Sequence, residues 1–131
     1  MEPATQNQQL DLRTGRVWLD DDGIVHADIK AHAELGLDDA HEWMRQIGIA
    51  STGKPRPVLV DYGRLKSISR DARRYFASPA VEPAPTATAL VITSPIGRAI
   101  GNFFMGLNKP DTPTKLFTDQ ATATDWLRSF V

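Results

Sequence analysis

Residues 87–104 read ATALVITSPIGRAIGNFF, and they place a strand directly before a helix. The run 87–93 is short and apolar, which is typical of a strand that is buried on both faces. Ser94 and Pro95 are typical of a helix start, because a serine caps free N–H groups and a proline suits the first helical position. A buried strand that leads at once into a helix is the repeating unit of layered α/β folds.

A strand followed by a capped helix is also predicted on either side of this stretch. Towards the N-terminus, residues 57–60 (PVLV) form a second apolar run, and Ser69 can cap a short helix that follows it. Towards the C-terminus, residues 115–117 (KLF) predict a short strand, and Thr118 or Asp119 can cap a final helix. We expect this helix to bury one stripe of side chains, made of Ala123, Trp126, Leu127 and Phe130.

The N-terminal third predicts a hairpin and one helix. Residues 13–19 and 24–29 are rich in valine, isoleucine and tryptophan, and the turn residues 20–23 (DDDG) separate them. Further on, apolar residues recur at helical spacing, at Leu37, Ala40, Met44 and Ile47.

The order of these elements predicts an α/β fold. We expect a mixed, mostly parallel sheet of about five strands with an N-terminal β-hairpin, covered by about four helices. Residues 1–10 are polar and glutamine-rich, so we expect a disordered N-terminal tail there. Residues 11–131 then form one domain, since the whole chain has only 131 residues.

The composition excludes several kinds of site. The chain has no cysteine, so a disulfide scaffold, a cysteine-ligated metal centre and a cysteine nucleophile are ruled out. Fifteen basic and sixteen acidic residues leave a net charge of −1, which gives no overall attraction to nucleic acid. No apolar run is long enough for a membrane span and the N-terminus lacks signal-peptide features, so we expect a cytoplasmic protein.

Four stretches together resemble the STAS domains, the SpoIIAA-like anti-sigma-factor antagonists, and in particular the bacterial proteins of unknown function that share their fold. These stretches are VWLDDDGIVHADI at 17–29, VLVDYG at 58–63, the stretch at 87–104, and KLFTDQATATDWL at 115–127. The resemblance covers roughly residues 13–130 and rests on element order and hydrophobic pattern. It implies the fold, and a protein that binds partners without catalysis.

The resemblance also implies where a phosphorylation switch would lie. In regulatory STAS domains, an Asp-Ser-Ser/Thr-Gly motif carries the phosphorylated serine at the start of the helix after the third strand. The corresponding stretch here, DYGRLKSISRDARRYF at 61–76, contains Ser67 and Ser69 but not that motif. Arg70 replaces the small residue expected beside the site.

Charge is unevenly distributed along the chain. Residues 17–42 contain eight acidic residues and one basic residue, whereas residues 54–74 contain seven basic residues and two acidic ones. The basic segment leaves the end of a parallel strand, where α/β sheets present ligands. It therefore predicts a contact site for a partner or an anion. The alternative, which is the more common origin of such charge runs, is a solvated face, or two patches that neutralise each other within the molecule or across a dimer. The candidate contacts are Arg64, Lys66, Ser67, Ser69, Arg70, Arg73 and Arg74.

The helix after Ser94 is apolar nearly all round. Phe103, Phe104 and Met105 are consecutive, so they cannot all face one sheet. They are candidates to line an apolar pocket or a subunit interface, unless neighbouring elements bury them. Gly97 and Gly101 lack the spacing of a phosphate-binding loop, and we expect them to permit close packing.

No motif in the sequence indicates catalysis. The zinc-protease pattern H-E-x-x-H and the hydrolase pattern G-x-S-x-G are both absent, and no two carboxylates are singled out as an acid–base pair. We expect no metal and no cofactor, no binding of nucleic acid, and a non-enzymatic regulatory module that binds a protein partner or forms a homodimer. One alternative is a carrier of a small amphipathic anion, with its head group near Arg64, Arg70 or Arg73; another is an enzyme.

Overall fold

The computed structural model describes residues 9–76, 85–107 and 112–131, without the side chains of residues 103–107. Eight strands and four helices lie within these ranges. In chain order they are β1 (Leu10–Leu12), β2 (Gly15–Leu19), β3 (Val25–Ile29), β4 (Glu34–Leu35), α1 (Leu37–Ala50), β5 (Val58–Asp61), β6 (Ser67–Ile68), α2 (Arg70–Phe76), β7 (Thr88–Val91), α3 (Pro95–Leu107), β8 (Thr114–Phe117) and α4 (Gln120–Arg128).

Six strands form the main sheet, in the order β1-β2-β3-β5-β7-β8. Strand β2 is antiparallel to both of its neighbours, β1 and β3, and the strands β3, β5, β7 and β8 run parallel. The predicted fold class is therefore confirmed: a mixed sheet with an N-terminal hairpin and four helices. The main sheet has six strands where about five were expected, and the strand beyond those expected is β1, which pairs with β2 at the edge of the sheet.

The two faces of the sheet are covered differently. Helices α1, α2 and α3 bury one face, where Trp43 and Ile100 pack with inward side chains of the strands. Helix α4 packs on β5, β7 and β8 of the opposite face, around Leu59 and Leu127. Side chains alternate along each strand, so the polar residues of β1, β2 and β3 share this second face, beside α4.

The predicted helix caps are present at α2, α3 and α4. The Oγ atoms of Ser69 and Ser94 accept hydrogen bonds from the N–H groups of Ala72 and Gly97, at 3.1 and 3.0 Å. Asp119 accepts from Thr122 N at 2.8 Å, so Asp119 and not Thr118 caps α4. These bonds satisfy N–H groups that the first helical turn leaves without a partner.

A second, two-stranded sheet places the starts of α1 and α2 side by side. Strands β4 and β6 are parallel, with Glu34 opposite Ser67 and Leu35 opposite Ile68. The acidic first turn of α1 therefore lies beside the basic start of α2. Within the part of the chain that the structure describes, no helix combines the length and the apolar character that crossing a membrane requires.

Candidate functional site

The segment from β5 to α2 is held to the fold by its apolar side chains. Leu65, Ile68 and Ala72 are buried, with 2%, 6% and 0% of their surface exposed. The backbone is anchored as well, because Ser69 N donates to Leu35 O at 2.9 Å and Lys66 N donates to Ala33 O at 2.9 Å. The polar side chains between these anchors are consequently turned outward.

Four exposed cations lie on this anchored segment, which we call the α2 cation patch: Arg64, Lys66, Arg70 and Arg74. Lys66 Nζ lies 3.6 Å from Glu34 Oε2, in an ion pair whose two side chains are both largely exposed. The three arginines form no ion pair with any residue in the described ranges. Arg73, the remaining predicted basic contact, is half-buried and engaged with other groups.

The two candidate serines differ in their surroundings. Ser69 is exposed, and its side chain caps α2. Ser67 is exposed in β6, opposite Glu34. The structure thus gives Ser69 a structural role at the start of α2, while the role of both serines as partner contacts stays a prediction.

The basic segment does not form one continuous surface. Lys54 and Arg56 precede β5 and therefore lie at the opposite end of that strand from the α2 cation patch. The Arg56 Nε atom donates to Ser51 O at 2.8 Å, which directs this arginine towards the end of α1. Strand β5 therefore separates the basic residues of the segment 54–74 into two groups, and only the group that follows β5 belongs to the α2 cation patch.

The acidic segment is divided in the same way. Asp20 and Asp22 lie at the β2–β3 turn, where they contact His26 and Arg128. Asp21 lies at the same turn and Asp28 lies on the sheet. The other four acidic residues lie in β4 or in α1, where Asp39 pairs with Arg13 at 2.5 Å. Glu34 is the acidic residue that contacts the α2 cation patch.

The sequence also predicts an apolar pocket or a subunit interface on α3. The side chains of Phe103, Phe104 and Met105 lie outside the described residues, so the predicted pocket or interface there stays a prediction. Gly97 and Gly101 do allow close packing. A Cβ atom at Gly101 would collide with Ile92 Cδ1 and would lie 3.1 Å from Leu116 Cδ2, so this glycine lets α3 approach the sheet.

A polar row crosses the second face of the sheet, and sequence reasoning did not find it. Across β1, β2, β3 and β5, Asp11 pairs with Arg16, Arg16 with Asp28, and Asp28 with Asp61. The Nε atom of Arg16 lies 3.7 Å from Asp28 Oδ2. At the end of the row, Gln120 Nε2 donates to Asp61 Oδ2 at 2.5 Å.

The environment of Asp28 raises the pKa of its carboxyl group. Burial is the largest cause, and the negative charge of Asp61 adds to it, while Arg16 acts in the opposite direction. The alternation of His26 and Asp28 along β3 identified this face as polar, but the partners in other strands depend on register, which a local pattern does not specify.

His26 belongs to the next row of the same face. Its ring stacks on Trp18 with centroids 5.0 Å apart, and its Nε2 atom lies 2.7 Å from Asp20 Oδ2. His41 instead contacts the ring of Tyr75 on α2. Over the described ranges, no three histidine or carboxylate side chains converge as a metal site would require.

Comparison with known proteins identifies a family and a fold. A family model described as "Domain of unknown function (DUF7793)" matches residues 17–131. An uncharacterised DUF3478-family protein from Shewanella loihica PV-4, described as having a SpoIIAA-like fold, is 15% identical and superposes with a TM-score of 0.55, covering 92% of this chain and 90% of that one. The predicted SpoIIAA-like fold is therefore confirmed.

A second solved structure, a protein of unknown function from Arthrobacter sp. FB24, is 29% identical over 85% of this chain and 96% of that one, with a TM-score of 0.33. No curated protein matches the chain significantly.

Proposed function

This chain belongs to the DUF7793 family, a domain of unknown function, and we propose that it is a non-enzymatic module that binds an acidic surface of a partner protein. The proposed contact is the α2 cation patch. The observation that carries the proposal is that Arg64, Arg70 and Arg74 are exposed and have no ionic partner within the described residues.

The backbone beneath the patch supports a preformed contact surface. Leu65, Ile68 and Ala72 fix the main chain on the core, so binding a partner has to order the arginine side chains but not the backbone that carries them. Arginine is suited to such a surface, because its planar guanidinium group donates two parallel hydrogen bonds to one carboxylate. Clustered charges of one sign also accelerate encounter with a partner of the opposite sign.

The test compares two double variants of equal charge change. Arg70→Glu/Arg74→Glu alters the α2 cation patch, whereas Lys54→Glu/Arg98→Glu alters two exposed cations elsewhere on the surface. Each tagged protein is cross-linked in the lysate of its own host, and the attached proteins are quantified by mass spectrometry. We expect a partner that the wild type and the control variant both retain, that the patch variant loses, and that high salt releases.

Two results would contradict the proposal. One is the absence of any protein whose capture depends on Arg70 and Arg74. The other is an equal loss with both double variants, because net charge alone would then account for the binding.

A second candidate function is self-association, which the parallel pairing of β4 with β6 favours. This pairing sets Glu34 and the exposed Asp38 beside the basic patch, so one surface carries both signs of charge. In a dimer with twofold symmetry, the acidic part of one copy can face the basic part of the other. Sedimentation velocity should then show a dimer at low salt that Arg70→Glu/Arg74→Glu dissociates; a monomer at every concentration and salt would contradict it.

A further inference from the structure

Two residues other than glycine have a left-handed backbone in the part of the chain that the structure describes. They are His32, with a φ of 65°, in the loop between β3 and β4, and Thr52, with a φ of 56°, just after α1. A side chain makes this conformation unfavourable, because its Cβ atom comes close to the following carbonyl oxygen. A glycine adopts it without that cost, as Gly63 does with a φ of 51° in the loop after β5.

The side chain of Thr52 offsets the cost within the protein. Its Oγ1 atom donates a hydrogen bond to Ser51 O at 2.6 Å and accepts one from Arg56 Nη2 at 2.8 Å. The His32 side chain is instead exposed, and it makes no hydrogen bond, ion pair or ring contact with any residue in the described ranges. No contact within those ranges therefore explains why a histidine stands where a glycine would be less strained.

The backbone of this loop lies beside the α2 cation patch. His32 N donates to Arg64 O at 2.8 Å, and Lys66 N donates to Ala33 O at 2.9 Å. Ala33 is buried whereas His32 and Arg64 are exposed. The imidazole therefore lies on the same exposed surface as the first arginine of the patch.

We propose that His32 is a further contact residue for the acidic partner, an assignment that rests on the proposed function. It extends the α2 cation patch onto the loop between β3 and β4. An imidazole N–H can donate a hydrogen bond to a carboxylate, which is the group that the neighbouring Arg64 is suited to bind. Residues held in the left-handed region despite a side chain are concentrated at binding and catalytic sites, where contacts outside the fold require that side chain.

The first test measures folding stability by urea denaturation. His32→Gly relieves the backbone and removes no internal contact, so its urea midpoint should equal or exceed that of the wild type. Thr52→Gly relieves the backbone in the same way but loses two hydrogen bonds, so its midpoint should be lower than that of His32→Gly. A His32→Gly midpoint clearly below that of the wild type would overturn the proposal, because the side chain would then have its role within the fold.

The second test measures binding of a hexaglutamate peptide at low ionic strength, with hexaglutamine as the uncharged control. NMR chemical-shift titration of the ¹⁵N-labelled protein should show shifts at the amides of residues 31–33 and 64–74. We expect the dissociation constant to be about threefold higher for His32→Gly than for the wild type, as for the loss of one exposed contact. Thr52→Gly, which inserts the same residue at the opposite end of β5, should bind like the wild type.

The titrations distinguish a failure at His32 from a failure of the whole patch. Hexaglutamate binding that Arg70→Glu/Arg74→Glu abolishes and His32→Gly leaves unchanged would overturn the role of His32 alone. Binding that Arg70→Glu/Arg74→Glu leaves intact, the absence of a saturable shift, or equal binding of hexaglutamine would contradict the α2 cation patch as an acid-binding surface, and the role of His32 with it.

Discussion

The indole Nε1 of Trp43 donates a hydrogen bond to Thr14 Oγ1 at 2.7 Å and thereby joins α1 to the turn between β1 and β2. Both residues are only 2% exposed. The ring of Trp43 also lies close to Gly15, where a Cβ atom would come within 2.8 Å of the Trp43 ring. A tryptophan, a threonine and a glycine that are distant in the sequence therefore form one packed unit beneath the hairpin.

Replacing Thr14 with valine should destabilise the protein, because the buried indole N–H would lose its acceptor. An unsatisfied buried donor costs about 1–3 kcal/mol, and urea denaturation followed by far-UV circular dichroism would measure this loss. Thr14→Ser keeps the hydroxyl group and should retain most of the stability. A Thr14→Val variant as stable as the wild type, with the loss confined to Thr14→Ser, would mean that the methyl group of Thr14, and not its hydrogen bond, is the important feature.

Gly101→Ala should weaken the contact of α3 with the sheet. The added Cβ would collide with Ile92 Cδ1, and overpacking of this kind costs about 1–3 kcal/mol, which exceeds the helix-propensity gain of about 1 kcal/mol. Ile92→Val removes the colliding atom, so the double variant should be more stable than the sum of the single effects predicts. Additive effects in a urea double-mutant cycle would contradict this packing.

Local signals in the sequence were sufficient for most of the fold. Ser69 and Ser94 were identified as helix caps because their preference depends on the few residues that follow them. The apolar runs at β5 and β7 were identified by residue type alone. Strand β1 was missed, because a three-residue strand such as Leu10–Leu12 gains its stability from pairing with β2 and has little pattern of its own.

The candidate sites were less predictable than the helices and the longer strands, because they depend on how distant strands pair. Asp28 and Asp61 are neighbours because β3 and β5 pair in one particular register, although α1 and its flanking loops separate them in the sequence. Conversely, Lys54 and Arg64 are close in the sequence, but β5 carries them to opposite ends of a strand. Charge counted along a segment therefore overstates the size of a surface patch wherever a strand passes through the segment.

Asp28→Asn should alter how stability depends on pH. The folded protein raises the pKa of this carboxyl above its unfolded value, mainly through burial and then through Asp61. Stability therefore falls as the pH rises from the unfolded pKa of Asp28 to its higher folded pKa, and the full cost remains at any higher pH. The cost disappears at a pH below the unfolded pKa. We expect Asp28→Asn to have a higher urea midpoint than the wild type at neutral pH, with the difference shrinking near pH 3, about one unit below the usual pKa of an aspartate. A difference that is constant with pH would contradict this explanation.

Ser69→Ala should destabilise the start of α2, whereas Ser67→Ala should have little effect. The Ser69 Oγ atom accepts from Ala72 N at 3.1 Å, and loss of such a cap typically costs about 1 kcal/mol. Ser67 lies in β6 with its side chain exposed, and no hydrogen bond of that side chain appears in the part of the chain that the structure describes. Ser69→Asp preserves an acceptor at the cap and should therefore recover most of the stability lost by Ser69→Ala. Equal urea midpoints for Ser69→Ala and Ser67→Ala would mean that α2 does not depend on this cap. Burial of Ile68 and Ala72 alone would then position the arginines of the patch.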